Sequence, residues 1–250
     1  MKTMFRTLSL ALILSFVAVA CNKDNEPAST QGISSDEAAD DVGATLSTDV
    51  SNSATDLVPL AKRAGGRVST NGRIEGCGAS YDTTINRSYT GAYLSYSYAM
   101  GYSYSLSCTT GGIPSALNYT LTNSGNRSGV RLESQGSSTG SLSAAGFEVS
   151  KSVYTVNGSI TRSHTSTQKS GAKKIFTSQS QSDLTNLVVD KSTKKIQSGT
   201  ATVTASGTSS GGGNYNYSAT VTFNGDGTAN YTISSSVYVV NLTTGQVTKK

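Results

Sequence analysis

The stretch Leu94-Ser-Tyr-Ser-Tyr-Ala-Met-Gly-Tyr-Ser-Tyr-Ser-Leu-Ser-Cys108 decides the fold class of this chain. Its even-numbered positions are large or apolar, and its odd-numbered positions are Ser, Ala or Gly. Because successive side chains of a strand point to opposite faces, the alternation predicts a strand that buries one face. A hairpin centred on Gly101 is the alternative, but Met100-Gly101-Tyr102 is poor turn chemistry. We therefore expect one long strand, with any bulge at Gly101.

The chain from about residue 70 onward is rich in Ser, Thr, Gly, Tyr and Val, a composition typical of strands. No segment with helical periodicity interrupts it, so parallel βαβ units are excluded and an antiparallel meander is expected. With 35% hydrophobic residues and no tryptophan, a two-layer core would be thin. We predict a mainly β protein with one curved sheet, a half-barrel or open barrel; a closed barrel or sandwich is the alternative. The predicted strands are 71–76, 81–90, 93–108, 117–122, 129–134, 145–162, 174–189, 195–208, 214–224, 228–241 and 246–249.

Register separates true turns from glycines inside strands. A two-residue turn at Asn157-Gly158 would mix the two faces of its strands, so we predict a continuous strand there. Gly225-Asp226-Gly227 keeps the faces consistent as a three-residue hairpin loop. The predicted cross-strand pairs are Phe223 with Ala229, Val221 with Tyr231, Leu187-Val188-Val189 with Ile196, and Leu242 with Val247.

One amphipathic helix is expected before the strands. Ser34 or Ser35 can cap its start, and Asp36 and Glu37 suit its first turn. Small and apolar residues then recur at helical spacing up to about residue 49. We predict a short helix over 35–49 that covers the concave face of the sheet.

The N-terminus carries a signal-like segment. Lys2 and Arg6 precede an apolar run over residues 7–20 that is shorter than the ~20 residues of a membrane-spanning helix. Ala18-Val-Ala-Cys21 resembles the lipobox of bacterial lipoproteins. This resemblance implies cleavage before Cys21 and lipidation of its sulfur, and acyl chains would then anchor the protein to a membrane.

The residues after Cys21 add a second resemblance. Asn22-Lys-Asp-Asn-Glu26 is similar to the short acidic stretch that follows the lipid cysteine in many Bacteroidota lipoproteins, where it is associated with export to the outer surface. It implies a lipid-anchored protein of the outer membrane or cell surface, with the periplasmic face as the alternative. The expected organisation is a signal peptide over 1–20, a lipidated tether over 21–33, an acidic helix and linker over 34–60, and an antiparallel β domain over 61–250.

The two other cysteines, Cys77 and Cys108, are expected to form a disulfide in an oxidising compartment. The bond would close a loop of about 30 residues and contribute ~3–4 kcal/mol in the chain-entropy model. Two separate buried thiols are the alternative.

Charge is divided unevenly along the chain. Residues 22–60 carry a net charge of −7 and residues 61–250 a net charge of +10. The basic part could meet anionic glycans or lipid, with the acidic segment as a spacer or an intramolecular cover. A solvated basic surface without a partner is the alternative, and nucleic acid is not expected outside the cell.

Catalytic and metal-binding patterns are not evident in the sequence. The one histidine, His164, lies in a polar stretch and is expected to be exposed in a loop, and the carboxylates occur singly. We therefore expect no enzyme activity, no metal and no cofactor. The tyrosine row is a candidate ligand face, with an ordinary buried sheet face as the alternative. Its members are Tyr96, Tyr98, Tyr102 and Tyr104.

The function that follows is a non-enzymatic cell-envelope lipoprotein that binds or scaffolds surface components. A carrier of a lipid or another hydrophobic ligand in a half-barrel groove is the first alternative, and an envelope hydrolase is the second. An open groove would favour the carrier. A groove filled by residues 35–49 would favour the binding or scaffolding role.

Overall fold

The computed structural model describes residues 32–65, 77–148 and 150–250. They form one open sheet of eleven strands in which each strand pairs antiparallel with the next along the chain. The predicted mainly β meander is therefore confirmed. The strands are β1 Ser80–Thr90, β2 Ser95–Cys108, β3 Pro114–Ser128, β4 Leu132–Ala145, β5 Val153–Gln168, β6 Ile175–Asp190, β7 Ile196–Ser209, β8 Asn214–Phe223, β9 Thr228–Ile233, β10 Ser236–Asn241 and β11 Val247–Lys249.

A single long helix precedes the strands. It consists of α1 Ser35–Thr45, a π-helical turn Leu46–Val50 and α2 Ser51–Gly65. Its start is as predicted: the Ser34 hydroxyl accepts from the Glu37 backbone N–H, and the Glu37 carboxylate accepts from the Ser34 N–H. This reciprocal pair is a capping box.

The predicted end of the helix at residue 49 is wrong, and the helix also runs past the expected boundary at 60/61. Ser and Thr hydroxyls in its middle donate to the helix's own carbonyls, as Thr48 does to Ala44 at 2.7 Å. An apolar stripe continues through Val50 and Leu57, both fully buried. Packing of that stripe against the sheet stabilises the second half of the helix, where helix propensity alone would not be sufficient.

The sheet curves around the helix. α1 contacts β4 as well as β9, β10 and β11. On a flat sheet with ~4.8 Å between strands, β4 and β10 would lie about 29 Å apart, whereas a helix is only ~10–12 Å across with its side chains. One helix reaches both strands only because the sheet wraps around it.

The two ends of the meander meet although they share no ladder. Leu94, in the β1–β2 turn, is buried, and it lies against Gly245 in the β10–β11 turn. A Cβ added to Gly245 would stand 2.6 Å from the Leu94 Cβ. The first and last hairpins are therefore in van der Waals contact, and the open barrel is nearly complete around its helix.

Most register predictions hold. β2 is one strand, although its register shift falls between Ser107 and Cys108 and not at Gly101. β5 runs through Asn157 and Gly158, with a shift just before the glycine. Three of the predicted cross-strand pairs are confirmed, namely Phe223 with Ala229, Val221 with Tyr231, and Val189 with Ile196.

Other boundaries differ from the predictions. Val240, not Leu242, pairs with Val247, because the Leu242 N–H donates to the Gly227 carbonyl and its side chain enters the core. The predicted strand 228–241 is divided by a turn at Ser234, whose φ is +55°. β3 and β4 are much longer than predicted. Several of their inward residues are polar, so the alternation that predicts a strand is missing from the sequence. The predicted strand 71–76 lies outside the described residues.

Candidate functional site

The predicted disulfide is confirmed. Cys77 and Cys108 are bonded, with their Cα atoms 5.6 Å apart, and Cys77 also forms an isolated bridge to Leu106. The bond ties the segment that leads into β1 to the end of β2. The lipidation residue Cys21 lies outside the described residues, so its modification stays a prediction.

The tyrosine row faces the helix. Tyr98, Tyr102 and Tyr104 are buried, while Tyr96 is half-buried and stacks on Tyr98 with ring centroids 4.9 Å apart. The Tyr98 hydroxyl donates to the Thr48 carbonyl at 3.1 Å. The concave side of β2 is therefore occupied by the chain's own helix.

Three helix carboxylates and three sheet arginines form what we call the ionic seam. Asp41, Asp49 and Asp56 are spaced eight and seven residues apart and lie on one side of the helix. No more than 4% of the surface of each residue is exposed. Each meets a guanidinium from the concave face of the sheet. The pairs are Asp41 with Arg127, Asp49 with Arg162, and Asp56 with Arg87.

Asp41 is the most heavily contacted of the three carboxylates. Besides Arg127, it accepts from the Tyr217 hydroxyl at 2.6 Å and lies 3.2 Å from His164 Nε2. Burial acts to raise the pKa of Asp41, but the charges of His164 and Arg127 and the hydrogen bonds outweigh it and hold the pKa well below its usual range. The carboxylate is thus kept ionised inside the protein.

The other two seam pairs also recruit polar neighbours. Asp49 accepts from Asn123 Nδ2 at 3.1 Å, and Asp56 accepts from the Tyr102 hydroxyl at 2.8 Å. Burial and the nearby Asp56 raise the pKa of Tyr102 far above its usual value. The hydroxyl therefore stays protonated and continues to donate.

The expectation of an exposed His164 is wrong. The side chain points inward from the middle of β5 and is only 1% exposed. Arg162, His164 and Ser166 alternate inward, so the polar stretch that resembled a loop is a strand whose buried face is polar. The acidic stripe of the helix is the signal that could have revealed this, because buried cations need buried anions.

No hydroxyl group among the described residues is hydrogen-bonded to the His164 ring. Its Nδ1 has no hydrogen-bond partner among the described residues, and its Nε2 faces Asp41. Ser178 lies opposite His164 in the β5–β6 register, but the Ser178 hydroxyl is bonded to the Tyr215 hydroxyl. Within the described ranges, no three or more His, Cys, Asp or Glu residues are grouped as a metal ion requires.

The seam and one further arginine pair part of the acidic segment with the basic part of the chain. Arg131 pairs with Asp40 at 2.8 Å and lies 3.7 Å from Asp36, so a fourth arginine of the basic part meets the acidic helix. The acidic segment therefore acts as an intramolecular cover for the sheet.

Among the described helices, none has the length and apolar character needed to cross a bilayer.

A second feature, the outer trough, crosses the convex side of β3–β8. It is an open depression of about 1470 Å³ that reaches Ile33 near the start of the helix. Its floor is one row of directly opposed residues that includes three glycines, namely Gly125, Gly136, His164, Ser178, Gly207 and Tyr215. Exposed polar side chains on either side of that row form its walls, namely Ser124, Asn126, Gln135, Ser137, Ser163, Thr165, Thr177, Gln179, Ser206, Thr208, Asn214 and Asn216.

The walls of the trough are uncharged and rich in hydrogen-bonding groups. Six strands at ~4.8 Å spacing make it about 24 Å long from the first strand to the last. A long, polar and open depression differs from the compact apolar pockets that bind small hydrophobic ligands. It suits an extended chain that carries many hydroxyl groups.

No protein-family model matches the chain, and searches of curated proteins and of solved structures give no match.

Proposed function

We propose that this protein is a non-enzymatic, lipid-anchored component of the bacterial cell envelope, and that it binds a hydroxyl-rich polymer of the envelope in the outer trough. The single observation that carries the binding role is the filled concave face. Because the helix occupies that face, the convex face is the large surface left for a ligand.

The contacts of the helix support this choice over a carrier. A carrier would need a concave groove lined by apolar side chains, whereas the residues around Asp41, Asp49 and Arg162 form a buried ionic network. If a lipid replaced the helix, the three arginines of the ionic seam would face an acyl chain without counter-ions, at a large cost in free energy. The interior is therefore suited to its own helix and not to a lipid.

The uncharged walls of the trough favour a neutral glycan. Hydroxyl and amide side chains can both donate to and accept from sugar hydroxyls. Three of the 17 Lys and Arg residues in 61–250 face inward, and none of those that the structure describes lines the trough, so anionic glycans have less reason to bind there. They remain an outcome of the binding test.

The proposal is tested by binding of isolated envelope polysaccharides to the full-length protein, measured by titration calorimetry. We expect Asn126→Ala/Gln179→Ala, which removes two amides from the trough, to weaken binding of a neutral polysaccharide severalfold. The matched control is Asn118→Ala/Gln197→Ala, since these exposed amides lie on the convex face outside the trough.

Equal weakening in both double variants, or no binding of any envelope polysaccharide, would overturn the role of the trough. Native mass spectrometry of the same protein tests the carrier alternative. A retained ligand of lipid mass, in addition to any acyl groups on Cys21, would show that the concave face opens and would replace this proposal.

A further inference from the structure

We propose that one rim of the open barrel, next to the start of the helix, lies on an anionic lipid surface and orients the anchored protein. This inference rests on the lipid anchor in the proposed function. We define the helix-start rim by three turns: β1–β2 over 91–94, β3–β4 over 129–131 and β5–β6 over 169–174. The opposite rim carries the turns 109–113, 146–152 and 191–195.

Exposed apolar side chains are concentrated at the helix-start rim. Tyr93, Val130 and Ile175 stand there with 41%, 56% and 45% of their surface exposed. The opposite rim has one comparable residue among those described, Ile113 at 58%. Turns normally carry polar residues, so exposed apolar side chains in two turns of this rim and at the start of β6 indicate a contact with an apolar or interfacial phase.

Lysines flank these apolar tips. Lys169, Lys173 and Lys174 occupy the β5–β6 turn, and the Lys169 ammonium donates to the Gly129 carbonyl at 2.9 Å. The Lys169 backbone N–H also donates to the Arg131 carbonyl at 2.9 Å. The two turns are therefore joined, which brings the Lys169 ammonium beside the turn that carries Val130. Cations beside apolar side chains are the composition that binds anionic headgroups.

The anchor is attached at the same rim. Glu37, in the first turn of the helix, bonds to Gln168, whose side-chain oxygen accepts from the Lys174 backbone N–H. The described chain thus begins beside the β5–β6 turn. Cys21 precedes Gly32 by eleven residues, a distance of at most ~40 Å even when fully extended. A lipid on Cys21 would hold this rim, and not the opposite one, near the membrane.

Charge alone does not distinguish the rims. Lys191, Lys194 and Lys195 in the β6–β7 turn match the three lysines of the β5–β6 turn in number. The acidic groups near the helix-start rim are Asp36 and Asp40, which are paired with Arg131, Glu37, which is bonded to Gln168, and Glu133. The apolar tips and the position of the anchor are what select the helix-start rim.

The absence of tryptophan from the sequence makes a direct test simple. The lipidated full-length protein, with Val130→Trp or the control Ile113→Trp, is placed in vesicles of phosphatidylglycerol and phosphatidylethanolamine that contain brominated acyl chains. We expect the emission of Val130→Trp to shift to shorter wavelength and to be quenched. The emission of Ile113→Trp should match that of a water-exposed indole. Equal emission from both variants, or quenching of Ile113→Trp alone, would overturn the proposal.

A second measurement separates the rim from the anchor. Full-length Cys21→Ser protein is mixed with the same vesicles, and the fraction that sediments is measured. We expect the Lys169→Gln/Lys173→Gln/Lys174→Gln variant to lose about fivefold in partitioning per lysine. The matched Lys191→Gln/Lys194→Gln/Lys195→Gln variant should bind like the Cys21→Ser parent.

Equal losses of vesicle binding in the two triple variants would contradict the proposed role of the helix-start rim. Failure of the anchor has its own signature. Wild-type protein that does not stay on neutral phosphatidylcholine vesicles at high salt would contradict lipidation of Cys21, whatever the rim does in the other two measurements.

Discussion

Individual residues of this protein depend on partners far away in the sequence. Arg127 and Asp41 are 86 residues apart, yet both are almost fully buried and form one ion pair. The sequence showed an acidic N-terminal segment and a basic body, but not which acid meets which base. His164 was misplaced for the same reason, since a histidine in a polar strand resembles a loop residue until its anionic partner is known.

The Arg127–Asp41 pair should contribute strongly to stability. Arg127→Met leaves the Asp41 charge with fewer counter-ions in the interior, so we expect a loss of about 3–5 kcal/mol in the free energy of unfolding. The double variant Asp41→Asn/Arg127→Met should lose less than the sum of the single losses. Urea denaturation measures both.

The control for this prediction is Arg131→Met. Arg131 is 44% exposed and pairs with Asp40 at the surface, so its loss should be under about 1 kcal/mol. Similar losses in the free energy of unfolding for Arg127→Met and Arg131→Met would show that burial does not strengthen the ion pairs of the seam.

Acid should destabilise the protein through Asp41. The pKa of Asp41 is lowered in the folded protein, so its contribution is present above the unfolded value of about 4 and is lost as pH falls below it. We expect Asp41→Asn to be less stable than wild type at neutral pH and to lose less stability between about pH 5 and pH 2. Urea denaturation over this range measures it. An equal loss of stability in wild type and Asp41→Asn between these pH values would contradict the assignment.

At the scale of elements, features set by the local sequence were predicted more accurately than features that depend on tertiary packing. The helix start follows from a capping box within four residues, and it was predicted correctly. The helix end was placed too early, although Val50 and Leu57 continue the apolar stripe of the helix and are buried in the structure. β3 and β4 were predicted too short because inward positions such as Asn123, Ser134 and Ser138 are polar. With polar residues on both faces, the alternation that marks a strand disappears.

The cap of the helix gives a prediction at this scale. Ser34→Ala removes the hydroxyl that accepts from the Glu37 N–H, and we expect a loss of about 1 kcal/mol in the free energy of unfolding. Ser35→Ala is the matched control, since Ser35 lies inside the first turn and is not the capping residue. Thermal or urea unfolding followed by circular dichroism compares the two. A control loss as large as that of Ser34→Ala would rule out the capping role.

At the scale of the molecule, a curved sheet with a helix on its concave face was predicted from composition and strand order. The contact between the first and last hairpins was not, because it joins Leu94 to Gly245 across the open edge of the sheet. The trough was not predictable either. It arises because Gly125, Gly136 and Gly207, on strands that are not all adjacent, fall into one row. Row alignment depends on every turn between those strands.

The hairpin contact can be tested with two glycines of similar backbone conformation. Gly245 has φ +68° and Gly212 has φ +86°, but an added Cβ would collide with Leu94 at Gly245 and would meet nothing within 4 Å at Gly212. We expect Gly212→Ala to cost about 1–2 kcal/mol from backbone strain alone. Gly245→Ala should cost more, because Leu94 must also move. Urea denaturation compares them, and equal costs would show that the two hairpins do not press on each other.

The order in which the parts of this fold become available has a consequence for how the chain is made. The Tyr231 hydroxyl donates to the Ala39 carbonyl at 2.8 Å, across 192 residues, and α1 also contacts β10 and β11. Chains are synthesised from the N-terminus, so the helix emerges first and its final partners emerge last. Asp56 and Asp49 have partners on β1 and β5, but the contacts of Ala39 and Asp41 with β9 and β8 cannot form until those strands are available. Completion of the fold is therefore delayed to the end of synthesis.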